Sequence, residues 1–144
     1  MISRRLVLIV AASAAFSTKA ALADNWISGR LDSARALVSL PVIQGLFVVE
    51  GQAFVATLPP AMRGPVATAL AQSQGPLTEL AAYGVALDFS QSETVAMTTW
   101  LQGRTVADVQ GAVGQVPAEI TNLINRLSTI AAQAFVGIAK SIGK

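Results

Sequence analysis

The chain has 144 residues, 53% of them apolar and 12% charged, with ten basic and eight acidic side chains, no cysteine and no histidine. Without those two residue types, the usual Zn²⁺, Cu²⁺, iron–sulfur and haem ligand sets cannot be built. Serine–histidine and cysteine–histidine catalysis is excluded with them, and no disulfide can support the fold.

Met1–Arg5 is short and basic, and the apolar run that follows, Leu6 to Phe16, is 11 residues long. A bilayer-spanning helix needs about 17–25 residues. Ser17, Thr18 and Lys19 close the run, and Ala21–Leu22–Ala23 places small side chains before Asp24. A basic start, a short apolar stretch and a small-x-small step form a cleavable export signal. The expectation is removal of residues 1–23 after Ala21 and Ala23 are recognised, leaving one domain over 24–144. Ser3–Arg4–Arg5 followed by apolar residues also fits a twin-arginine signal, and the same arginines suit ordinary Sec export. The expected destination is the bacterial periplasm or the extracellular space.

Cleavage changes the charge. The mature chain keeps seven basic and eight acidic residues, so the overall basicity belongs to the leader. Nucleic acid is therefore not an expected partner, because that function needs a clustered basic surface on the folded domain.

Asp24–Leu40 carries Ile27, Leu31, Ala34, Leu37 and Val38 at helical spacing, with Arg30, Asp32 and Arg35 opposite. Pro41 ends that helix. Pro41–Leu58 supports two readings. Ile43, Phe47, Phe54 and Leu58 form a helical stripe, whereas "LFVV" and "AFVATL" around "EGQ" suit a hairpin. Helix is preferred because the neighbouring segments are alanine-rich. Glu50 and its neighbouring glutamines argue against a membrane span there. After Pro59–Pro60, two Gly-Pro pairs at Gly64 and Gly75 are read as helix starts, with proline at the first helical position.

Val85–Phe89 alternates apolar residues and is a candidate strand. Ser90–Glu93 forms a capping box opening a helix over Gln91–Gln102, with Met97, Trp100 and Leu101 on its apolar strip. Gly103 ends it, and Thr105–Asp108 starts another short helix by the same device. Pro117–Ile142 is the clearest segment. Ile120, Leu123, Ile124, Leu127, Ile130, Ala131, Ala134, Phe135, Ile138 and Ile142 keep steps of three and four.

The expected fold is all-α, a bundle of about five to seven helices around the C-terminal one. The alternative is α+β, with strands near 46–57 and 85–89. No catalytic, cofactor-binding or metal-binding motif emerges, and no cofactor is expected. The carboxylates are scattered and the serines lack a nucleophile-elbow context. Trp26, Tyr83, Trp100 and Phe135 are candidate interaction or ligand residues, although large aromatics more often fill cores.

Charged residues make up about half the usual quarter share of the mature domain. Such a surface exposes apolar patches, and these mark interfaces. The leading functional expectation is a non-enzymatic exported protein that binds a protein partner, or itself, through an apolar helix surface. A carrier of lipid or another apolar ligand and a carboxylate-dependent cell-envelope hydrolase are the alternatives. Peripheral membrane contact is a further expectation.

Overall fold

The structure, a computed structural model, describes residues 21–111 and 116–143, with side chains over 28–110 and 116–143. The described residues form seven helices: α1 (Ala21–Val38), α2 (Pro41–Ala56), α3 (Pro60–Gln72), α4 (Gln74–Asp88), α5 (Gln91–Leu101), α6 (Val106–Gly111) and α7 (Ala118–Ile142). No strand occurs among them. The expected export signal lies outside the described residues, apart from the backbone of Ala21, Leu22 and Ala23, which begins α1 ahead of Asp24.

The three-four spacing of α7 becomes burial. Ile120, Leu123, Leu127, Ile130, Ala131, Phe135 and Ile138 face the core, and α2, α3 and α4 pack around them. Helix α1 lies across α4 and α5, burying Leu31, Ala34, Leu37 and Val38. Glycine lets α4 approach α7: a Cβ at Gly84 would fall within 2.5 Å of Ile130 Cδ1. Polar ties complement the apolar contacts. Gln44 on α2 donates to Val38 O and Thr78 Oγ1, and accepts from Gln74 Nε2 on α4. Thr94 is fully buried, and its hydroxyl bonds Ser90 O one turn back, which satisfies it inside the helix.

Three local expectations are corrected. The 46–57 hairpin is replaced by the continuous helix α2, whose buried Val42, Ile43, Leu46, Phe47 and Gly51 share a helical face. The 85–89 strand is the last turn of α4 with its C-cap. A period-two pattern would bury Leu87 along with Val85 and Phe89, yet Leu87 is 75% exposed. Val85 and Phe89, one helical turn apart, are buried instead, and the Phe89 N–H bonds Val85 O.

The third correction concerns the Gly-Pro pairs. Helix α3 begins at Pro60, so Pro65 lies inside it, and α4 begins at Gln74, ahead of Gly75–Pro76. Pro59–Pro60 had already supplied the start that Gly64–Pro65 was expected to give. Gly64 makes Pro65 tolerable there, because a proline ring clashes with the Cβ of the preceding residue and glycine has none. The missing Pro65 N–H still leaves the Ala61 carbonyl without its intrahelical donor. Pro65→Ala should therefore raise stability by about 1–3 kcal/mol, as urea unfolding would show.

The sequence-read caps form as expected. Ser90 Oγ accepts from the Glu93 N–H at 3.1 Å, and Glu93 Oε1 accepts from the Ser90 N–H at 3.0 Å. Thr105 and Asp108 reproduce the arrangement at the start of α6. Between them, α5 ends in a type II turn. Gln102 has φ −59 and ψ 130, Gly103 has φ 75, and the Arg104 N–H reaches Leu101 O at 3.2 Å.

Both capping carboxyls are held below their ordinary ranges, chiefly by the backbone N–H bonds from Ser90 and Thr105. A carboxyl with a folded pKa below its unfolded value stabilises above the unfolded pKa and loses that contribution as pH falls through the folded one. Thermal midpoints should therefore drop as pH falls below about 4, and Glu93→Gln with Asp108→Asn should flatten that slope.

Candidate interaction surface

Among the described candidates, no ring contact joins Tyr83, Trp100 and Phe135 to one another. The Trp26 side chain lies outside the described residues. Tyr83 on α4 is half-buried against the core. Trp100 on α5 is half-buried, and Arg104 lies over its ring with Cζ 3.8 Å from the centroid. Phe135 on α7 is buried, its ring 5.8 Å from that of Phe54 on α2. An apolar cleft between α3, α4 and α7 includes Phe135 with Leu70, Leu77, Leu80 and Ile138, but neither Tyr83 nor Trp100. Its free volume of about 20 Å³ is room for one water-sized body, far short of an acyl chain.

Most of the described carboxylates have specific partners. Glu79 pairs with Arg35 and Asp88 with Arg126, tying α4 to α1 and α7. Glu93 and Asp108 cap helices, and Glu50 accepts from the Ser128 hydroxyl on α7. Among the described residues, no group of three or more carboxylates converges in a way that could hold a metal ion.

The surface feature with the most consequence is on α2. Between Arg35 and Glu79 lie 43 residues with only two charges, Glu50 and Arg63. The fold turns Glu50 inward and holds Arg63 at the end of α2. Glu50 sits on the flank of α2 that meets α7, bonded to Ser128. Arg63 folds back over the end of α2, donating through Nε to Leu58 O at 2.9 Å and through Nη2 to Ala56 O. The outward face of α2 is left to Val48, Val49, Gln52, Ala53 and Ala56, with Val48 48% and Val49 41% exposed. Ala61, Pro65, Ala67, Thr68 and Ala71 extend uncharged surface over α3, which packs beside α2. No family model, curated protein or solved structure matches this chain. Function must therefore be argued from the surface itself.

A helix that is apolar around its whole circumference belongs in a larger core, an interface or a membrane. Helix α2 approaches that composition, with Gln52 as the polar side chain on its outward face, yet only one side of it is covered. Among the described residues no single helix is long and apolar enough to cross a membrane. Ser28–Val38 and Pro41–Ala56 reach that composition only as a pair bent by 66°. Low overall charge does not by itself locate this face. The charge-poor interval from Arg35 to Glu79 is the available signal. Only the fold reveals that Glu50 points away from this face and that Arg63 lies at its end, over the last turn of α2.

Proposed function

We propose that the protein is an exported, non-enzymatic helical adaptor that binds a protein partner through the outward face of α2, with α3 at its edge. The observation carrying this reading is the unequal surface of α2: apolar on both sides, with its one charged side chain bonded inward to Ser128. Export to the periplasm or beyond is supported by the basic, apolar and small-residue order of residues 1–24.

A partner suited to this face offers an uncharged helix or sheet surface. Lining up a charge against Val48 and Val49 would strip its water without supplying a counter-charge. Size-exclusion chromatography with light scattering, on protein isolated gently from cells, tests the reading. The expected result is a defined species larger than one chain. A strictly monomeric protein with nothing bound to it overturns the proposal. Native mass spectrometry of the same material would reveal a small apolar ligand, the outcome favouring a carrier.

A further inference from the structure

A second surface differs from the α2 face in its chemistry. Residues 51–78 and 120–144 contain no aspartate or glutamate, but they hold Arg63, Arg126, Lys140 and Lys144. Arg126 is neutralised by Asp88, away from the C-terminal turns of α7. The other described cations of these segments gather at one end of the bundle. There α3 begins and α7 finishes, with Met62 Cε lying against Gly143. Lys140 is in the last turn of α7, and Arg63 is one residue beyond Met62.

The same end exposes apolar groups. Pro59, Pro60 and Ala61 form a projecting corner between α2 and α3, and all are exposed. Val136, 40% exposed, lies one turn before Lys140 on the same stripe of α7 that ends at Gly143. Cations without acids beside an apolar corner are complementary to an anionic, apolar-backed surface. The bonds Arg63 makes to the Ala56 and Leu58 carbonyls leave its positive charge intact.

We propose that this end of the bundle docks peripherally on an anionic phospholipid surface. Arg63 and Lys140 meet the headgroup phosphates, and the Pro59–Ala61 corner and Val136 enter the headgroup boundary. The contact is reversible, because so few cations confer only modest attraction and salt screens it. It adjoins the α2 face at Ala56 and Ala61 but does not use Val48 or Val49.

Vesicle co-sedimentation tests this with the full chain, comparing phosphatidylglycerol–phosphatidylcholine vesicles with phosphatidylcholine alone. All variants share the N-terminal apolar run, so differences between them report on the folded end. Binding should favour the anionic vesicles and weaken with salt. Lys140→Gln should reduce it about fivefold and Lys140→Glu should reduce it further. Arg104→Gln, in the α5–α6 turn, should leave binding unchanged, and circular dichroism should show all variants folded alike. Equal binding to both vesicle types, no binding, insensitivity to the lysine substitutions or equal loss with Arg104→Gln each overturns the proposal. An acidic protein as the true occupant would give the no-binding result.

Discussion

Phe135→Ala should lower the free energy of unfolding by about 3–5 kcal/mol. The ring is 4% exposed and tilted 36° against Phe54 at 5.8 Å between centroids. It fills the space beside Gly51, where a Cβ would meet its Cζ at 3.6 Å. Truncation removes the transfer free energy of the ring and opens a void continuous with the cleft beside Leu70 and Leu77. Helices α2, α3, α4 and α7 all border that void, so no single side chain can close it. Domains of this size are stable by about 5–15 kcal/mol, so the loss is a large share of the total. Urea unfolding followed by circular dichroism measures it. Trp100→Ala should cost less than Phe135→Ala, because Trp100 is only half-buried and one ring face is covered by exposed Arg104.

Val48→Lys combined with Val49→Glu should weaken partner binding tenfold or more while shifting stability by only about 0.5 kcal/mol. Both side chains are substantially exposed, so neither substitution buries a charge in the free protein. In the complex each would meet an apolar partner and lose hydration without a counter-charge. The pair keeps the net charge constant, so altered solubility cannot account for lost binding. Thermal unfolding of the purified variant and its co-purification with the partner separate the two effects. A variant that binds normally places the interface elsewhere on the molecule.

The helices readable in the sequence are those whose signals are local and redundant. Helix α7 has an uninterrupted three-four pattern, an acid in its first turn and a proline immediately before it. Ser90–Glu93 and Thr105–Asp108 mark starts because each residue type fits one reciprocal hydrogen-bond pattern. Helix α2 supports two readings because it is apolar over most of its circumference, which leaves only a weak helical period. Val85–Phe89 showed apolar residues at every second position, but Val85 and Phe89 are also one helical turn apart, and burial decided between the two periods. Pro65 misled because proline suits a helix start, yet the preceding proline pair had already provided one.

The site was legible only in outline. Low charge points to an exposed apolar face, and the described aromatic candidates lie outside it. Tyr83 and Phe135 support the packed interior, and Trp100 stacks under Arg104. Which face is apolar depends on where Glu50 and Arg63 go. Both partners come from tertiary or chain-reversal geometry: Ser128 is 78 positions from Glu50, and Arg63 reaches back past two prolines.

The absence of cysteine makes the outward face of α2 directly measurable. A single cysteine at Val49 should resist maleimide labelling in the protein's native setting and react freely in the purified, isolated chain. A cysteine at Asn122, on the exposed polar side of α7, should label in both. Equal labelling of the Val49 position in both settings would contradict a partner covering the α2 face.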